Sequence, residues 1–340
     1  MKLRIAFAGF RHGHIVDVYA LAAGRDDVEV VAACEEHAPT RDELKAAGTV
    51  AVTHDRLERM YEEVGFDALA VGDYYGRRGE LLIGALEAGR HVISDKPICT
   101  RLDELVRAAE LAGRGHLVVG CQLNLRDAGN FRALRQAIGD GAIGEVHTID
   151  FQGQHPLARG VRPGWYFEPG KHGGTINDLA IHAVDGIGWL TGREIVEVVA
   201  ARAWNARVGE PDGFQDGAQM MFRLDNDGGV LGDVSYLTPE SFAYKVPCYW
   251  RFTLHGSGGL AETSSVADGV DLWSTASDAP RHLPPAEERP GGYFEDFLAE
   301  VRGQPPAPGA LTTAGVLASA RKTLLAQRAA DEGMRDVTCK

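Results

Sequence analysis

LRIAFAGFRHGHIVDVYALAAG, residues 3–24, carries an apolar strand into a glycine and then into a helical pattern that stops at Gly24. A strand feeding a glycine turn and a helix is the opening of a dinucleotide-binding βαβ unit. The turn's amides and the helix dipole then point at a phosphate. The usual G-x-G-x-x-G is met at its first position alone: Gly9 is in place, while Arg11 and His14 stand where the other two glycines belong. An isolated copy of this pattern is weak and an altered copy weaker. Whether Gly9, Phe10, Arg11, His12, Gly13 and His14 form a nucleotide turn is therefore decided by what surrounds them. Gly9 permits the tight turn, and Gly13 offers a second close approach. Arg11 brings a cation toward a pyrophosphate, and His12 and His14 either donate to phosphate or start the helix.

Outward from this stretch, β-rich runs alternate with helical ones. VEVVAAC leads to TRDELKAAG, with Thr40 as the expected cap. VAVTHD, LERMYEEVG and DALAVGDYY repeat the pattern. ELLIGALEAG, stopped by Gly89, feeds HVISDKP, and LDELVRAAELAGRG feeds HLVVGCQ. Continuous apolar strands separated by helices predict a parallel sheet covered on both faces, with SDKP at the end of its fifth strand. After about Gln122 the texture changes. EVHTIDFQGQH, VEVVAARAW, AQMMFRL, GVLGDVSYL, YWRFTLHG and VDLWST are strands joined mostly by turns, the mark of an antiparallel or mixed sheet. The expected architecture is α/β. A Rossmann dinucleotide-binding domain covers 1–121. An α+β substrate-binding and oligomerisation domain with a large open, mostly antiparallel sheet covers 122–340. The closing helices are free to pack back on the first domain.

Composition bounds the function. Two domains are the default for 340 residues, and 44% hydrophobic with 24% charged residues is ordinary for a soluble protein. Lys and Arg number 35 against 48 Asp and Glu, a formal charge of -13 that argues against a nucleic-acid backbone as partner. The 5 cysteines have no metal-ligand spacing and suit a reducing compartment. No signal-peptide pattern opens the chain and no apolar run approaches membrane-spanning length, so a cytoplasmic, soluble protein is expected.

Three places carry chemistry. Glu35 ends the second strand, where an acid accepts hydrogen bonds from the adenosine ribose, and Glu36 doubles the negative charge against a 2′-phosphate. NAD is therefore expected over NADP. Lys96, in SDKPIC, lies at the carboxyl end of a strand and is held by the proline after it. Such a cation polarises a substrate oxygen or stabilises an alkoxide. In GKHGGTINDLAIHAVDGIGWL, residues 170–190, Asp178 and His182 stand four apart on one helix face, a carboxylate beside an imidazole fit for proton transfer. Each also has a plainer reading: a solvated helix-start pair, a surface turn lysine, a packed Asp–His pair. No metal is expected, because adding His172 or His155 does not give ligands spaced as a set.

Together these segments resemble the Gfo/Idh/MocA oxidoreductase family over essentially the whole length. AGRHVISDKPI is similar to that family's strand ending in glutamate-lysine-proline, with Asp95 for the glutamate. GAIGEVHTIDFQ resembles the start of its second sheet, and GGTINDLAIHAVDGIGWLTG its GG-x-x-x-D-x-x-x-H helix. The resemblance implies hydride exchange between nicotinamide and a sugar or polyol carbon, with Lys96, Asp178 and His182 as catalytic residues. It makes Gly9, Phe10, Arg11, His12, Gly13, His14, Glu35, Asp73, Tyr74 and Lys96 the expected cofactor ligands. Trp165 (stacking on a sugar face), Arg162, Lys171 and Asn177 join the catalytic three as expected substrate ligands. It also implies a homodimer or homotetramer formed through the open sheet. Two departures, Asp73-Tyr74-Tyr75 after the fourth strand and Asn124 after the sixth, leave the sugar unnamed. Redox-assisted glycoside cleavage on bound NAD and a non-catalytic sensor are the rival functions.

Overall fold

Leu3–Ala8 forms β1 because Ile5, Ala6, Phe7 and Ala8 are apolar on both faces and all are buried, as a strand inside a doubly covered sheet must be. The computed structural model describes residues 2–209 and 214–339. After β1 come α1 (Ile15–Ala23), β2 (Val28–Cys34), α2 (Ala38–Ala47), α3 (Leu57–Glu63), β3 (Ala68–Val71), α4 (Tyr75–Glu87), β4 (His91–Ser94), α5 (Leu102–Gly115) and β5 (Val119–Cys121). The strands are all parallel, in the order β2-β1-β3-β4-β5. Strand order reverses between β1 and β3, so the turns after these two strands open at the crevice where such sheets bind ligands.

Two local expectations are corrected. VAVTHD is not a strand. Only a single bridge, Cys34 to His54, forms there, so SDKP follows the fourth strand and Gln122 the fifth. Thr40 is not a cap either. Pro39 suits the first turn of a helix and sets the start of α2 at Ala38, leaving Thr40 inside with its hydroxyl 2.9 Å from His37 Nδ1.

The chain divides into two compact units that are not contiguous in sequence: Met1–Gln122 with Gly170–Gly173 and Tyr293–Leu317, and the remainder. Specific contacts explain the returns to the first unit. Gly76 N–H donates to Lys171 O at 2.9 Å, Val119 N–H donates to Thr313 Oγ1 at 3.0 Å, and Phe297 lies where Gly120 has no side chain.

In the second unit α6 (Gly129–Gly139), β6 (Val146–Pro156), α7 (Ile181–Thr191), β7 (Ile195–Trp204), β8 (Gly217–Leu224) and β9 (Gly229–Thr238) are followed by β10 (Arg251–Gly256), β11 (Gly259–Thr263), β12 (Val270–Ser274) and β13 (Arg281–Leu283). Next in the chain are α8 (Gly292–Val301), α9 (Thr313–Glu332) and β14 (Arg335–Thr338). The sheet runs β13-β12-β11-β10-β6-β9-β8-β7-β14, parallel at β6–β9 and antiparallel elsewhere. Register explains its two faces. Val198, Phe222, Val230, Ile149 and Leu254 are successive cross-strand partners, and all are buried. In the adjacent row, reached on β7 across a bulge, Ala200, Met221, Leu231, Asp150 and Thr253 are cross-strand partners, and Met221 and Leu231 are exposed. Among the described residues no helix is long and apolar enough to cross a membrane.

Candidate active site

The nucleotide turn is built on Gly9, whose φ is +78° and whose missing Cβ would lie 2.7 Å from Asp73 Cβ. Glycine alone closes the turn here, because a side chain would be both left-handed and in collision. The turn is then tied to its neighbours. His12 N–H donates to Gly72 O at 3.2 Å and Phe10 N–H to Glu35 Oε2 at 2.5 Å. His37 N–H donates to Glu35 Oε1 at 2.8 Å. Burial pushes the Glu35 carboxyl up, against those two N–H groups. The residue stands where a ribose-binding acid belongs, and its oxygens brace the turn. A tight, amide-lined turn at the start of α1 fits a dinucleotide phosphate.

Glu36 is not the bare second charge expected there. Its carboxylate pairs with Arg77 and accepts the Leu57 N–H at 3.1 Å. Arg77 also reaches Asp73 at 2.9 Å. Beside them two cations approach the Tyr74 ring, Arg11 Cζ at 5.8 Å and Lys171 Nζ at 5.1 Å from its centre. The structure thus brings Lys171 together with the nucleotide turn, a grouping that the distance along the chain hides.

His12 turns inward, correcting its assignment as a phosphate ligand. Its Nδ1 is 2.5 Å from Asp95 Oδ2 and its Nε2 3.2 Å from the Tyr75 hydroxyl. Burial lowers its pKa to about 4 in spite of Asp95, so it is neutral at pH 7 and carries no charge for a phosphate. His14 stays at the surface of the turn, half-exposed, with Nδ1 3.5 Å from Asp95 Oδ1. Ligand atoms of His12, His14 and Asp95 lie within 4.8 Å of one another, a cluster not seen in the sequence spacing. The Arg78 guanidinium, 2.8 Å from the same carboxylate, opposes a cation there. Lys96 follows Asp95 and is buried, its Nζ 5.8 Å from the Tyr75 ring centre.

In the second unit the glycine-led segment begins at Gly174, with φ +96° and the Gln327 side chain where a Cβ would be. Gln327 Oε1 accepts the N–H groups of Ile176 at 2.9 Å and Asn177 at 3.3 Å. Ile176–Ala180 is a turn of π-helix, and α7 follows from Ile181. The regular i, i+4 face expected for Asp178 and His182 is therefore interrupted between them, since a π-turn closes i→i+5. The Tyr236 hydroxyl donates to Asp178 Oδ2, and burial together with Asp178 raises the phenol well above its ordinary range. Tyr236 therefore keeps its proton at neutral pH. The His182 ring meets the Trp250 ring edge-on at 5.1 Å. Trp250 has φ +48°, strained for a bulky residue, and the missing side chain of Gly153 makes room for its ring. His155 adds rings of Tyr249 and Trp250 at 5.2 Å each.

Two expected substrate ligands are corrected. Trp165 is buried with its ring centre 4.3 Å from that of Tyr166, so its indole packs rather than offering a stacking face. Arg162 donates to Leu157 O at 2.8 Å and Pro156 O at 3.1 Å, with its guanidinium carbon 5.0 Å from the Tyr236 ring centre, and so braces the end of β6. Tyr236, Trp250 and Gln327 are the residues that sequence reasoning missed. For Tyr236 a signal existed, because a tyrosine among the buried positions of a strand needs a partner for its hydroxyl.

Residues 3–123 match the family model described as oxidoreductase family, NAD-binding Rossmann fold, and residues 131–262 match the GFO/IDH/MocA C-terminal domain. The chain is 28% identical over 268 residues to 1,5-anhydro-D-fructose reductase of Ensifer adhaerens, covering 74% of this chain and 75% of that one. It is 26% identical over 294 residues to myo-inositol 2-dehydrogenase of Thermotoga maritima, covering 83% and 84%. An oxidoreductase from Agrobacterium radiobacter, solved with NAD+, L-tartaric acid and magnesium, has the same fold at a TM-score of 0.79 and 18% identity, over 100% of this chain and 99% of that one.

Proposed function

This chain belongs to the Gfo/Idh/MocA oxidoreductase family, and from that premise we propose that it moves a hydride between a nicotinamide dinucleotide and a carbinol or carbonyl carbon of a sugar or inositol-like polyol. The observation that carries the proposal is the buried Asp178 carboxyl group, four residues before His182 and hydrogen-bonded by the Tyr236 phenol, whose ionisation burial pushes well above the ordinary range. A buried acid on the same helical segment as an imidazole is costly to ionise and suits proton transfer. The nicotinamide, when bound, supplies the hydride acceptor. A ring nitrogen of His182 takes the proton from the reacting hydroxyl oxygen, and the Asp178 charge favours the imidazolium that results. The Lys96 ammonium positions that oxygen and stabilises it as it gains charge. Asn177 serves beside Asp178 in holding neighbouring hydroxyls. The names of the two curated relatives, a reductase of an anhydro-sugar and a dehydrogenase of an inositol, support a polyhydroxylated ring as substrate.

NAD remains the proposed cofactor over NADP, supported by Glu35 at the end of β2. The pairing of Glu36 with Arg77 leaves the margin small. The proposed assembly is a homo-oligomer through the open sheet face bearing Met221 and Leu231, supported by their exposure on a strand-rich surface. A cytoplasmic setting suits the thiols of Cys34, Cys99, Cys121, Cys248 and Cys339, none of them in a disulfide. The test of function is absorbance at the NADH band with NAD and a panel of inositols, aldoses and glycosides. NADH accumulating with a cyclitol or aldose is the expected result. Cleavage of a glycoside without NADH would replace it by redox-neutral elimination.

A further inference from the structure

The first unit buries ionisable groups for which hydride chemistry has no direct use. Arg78, in the first turn of α4, is fully buried. Its Nε donates to Asp73 O at 2.8 Å, and its Nη1 to Lys96 O at 2.5 Å and Pro97 O at 3.1 Å. Its Nη2 donates to Asp95 Oδ2 at 2.8 Å, while the guanidinium carbon lies 4.6 Å from the centre of the Tyr75 ring. One planar cation therefore holds the turn after β3 and the loop after β4 together. Asp95 is the residue before Lys96. Its N–H donates to Val71 O at 3.0 Å and its carboxylate meets both Arg78 and His12. His12 belongs to the nucleotide turn, where its own N–H is bonded to Gly72 O. The path from the phosphate turn to the lysine is thus continuous: His12, Asp95, Arg78, and the carbonyls of Lys96 and Pro97.

Stability alone does not explain such a path. A buried ion pair recovers its desolvation cost only partly, and a packed apolar replacement is often as stable. A guanidinium bonded in its own plane to a carboxylate and three carbonyls fixes geometry, which an apolar side chain cannot do.

We propose that Arg78, Asp95 and His12 are positioning residues that lock the peptide carrying Lys96 to the nucleotide turn, so that the turn and the lysine hold one arrangement. This rests on Lys96 as the group that meets the reacting oxygen. His12 then acts through Asp95 rather than on the cofactor's phosphates.

The test uses His12→Asn and Arg78→Lys, each alone and combined with Lys96→Ala. It measures NAD dissociation constants by calorimetry, melting curves, and kcat and KM with the best substrate of the panel. Misplacing a reacting group by about 1 Å costs roughly 100-fold. Each single variant is therefore expected to lose roughly 10- to 100-fold in kcat per folded molecule, with the substrate KM within about threefold. Combined with Lys96→Ala, neither should lose more than Lys96→Ala alone, because the residues act through the lysine. Normal kcat per folded molecule, or losses that multiply in the combined variants, would overturn the proposal. Should Arg78→Lys fail to fold, His12→Asn decides by the same criteria. If the wild type binds NAD and transfers no hydride to any substrate, the functional reading fails separately. The cycle on NAD dissociation constants then decides the positioning: non-additive losses sustain it, and additive losses or none overturn it.

Discussion

Asp95 and Asp178 are both buried carboxylates, one in each unit, and the two are held in opposite ways. Asp95 meets a cation and an imidazole, and Arg78 with His12 holds its carboxyl well below the usual range despite complete burial. Asp178 meets the neutral hydroxyl of Tyr236 on a π-turn. A carboxylate gripped by a guanidinium has its charge already matched, and what it contributes is position. Asp178 accepts from a neutral donor, and on the proposed mechanism its carboxyl group favours an imidazolium formed at His182. In that mechanism the first acid serves architecture and the second chemistry.

The sharpest way to break that contrast is His182→Ala. Removing a general base costs about a hundred- to ten-thousand-fold in turnover. NAD affinity should stay nearly unchanged, as calorimetry would record. Near-normal turnover across pH would leave the α7 face a packing element and the contrast without content.

The next test sets the acids' partners against each other. Arg78→Met leaves Asp95 buried with its cation gone, a loss of about 3–5 kcal/mol in stability. Tyr236→Phe removes one hydrogen bond to a charged group, about 1.5–3 kcal/mol. Denaturant melts measure both. A larger stability loss in Tyr236→Phe than in Arg78→Met would reverse the assignment.

A smaller effect comes from His12, whose folded pKa of about 4 lies below its ordinary 6.5. Between those values the unfolded chain binds the extra proton, so stability rises with pH from about 4 to 6.5 and is lost on acidification through the same window. The linkage amounts to about 3 kcal/mol, and His12→Asn should remove it. An unchanged slope of stability against pH in that variant would mean His12 is not neutral in the fold.

Much of this was legible in the sequence. Buried strands such as Leu3–Ala8 are apolar throughout, and Gly9 can be read because the tight turn leaves no room for a side chain. Lys96, Asp178 and His182 stood out by residue type and setting. What the sequence hid depends on contacts between distant segments. Lys171 joins Tyr74 through the return of residues 170–173, and Gln327 reaches the start of the π-turn from α9. The inward turn of His12 follows from Asp95 and Tyr75, each far along the chain. Trp165 misled because an indole in a glycine- and proline-rich loop reads as a binding face, whereas here Tyr166 covers it. The π-turn was invisible because four-residue spacing is identical in either helix type until the hydrogen bonds are known.

The central claim is that a hydride leaves a carbinol carbon of the substrate directly for the nicotinamide. The most direct measurement supplies NAD and the best substrate of the panel deuterated at that carbon, then locates the label by mass spectrometry of the dinucleotide. One deuterium is expected in the reduced nicotinamide, formed in step with oxidised substrate and nearly lost in His182→Ala. Substrate consumed while the dinucleotide pool stays oxidised and the label passes into solvent would contradict it.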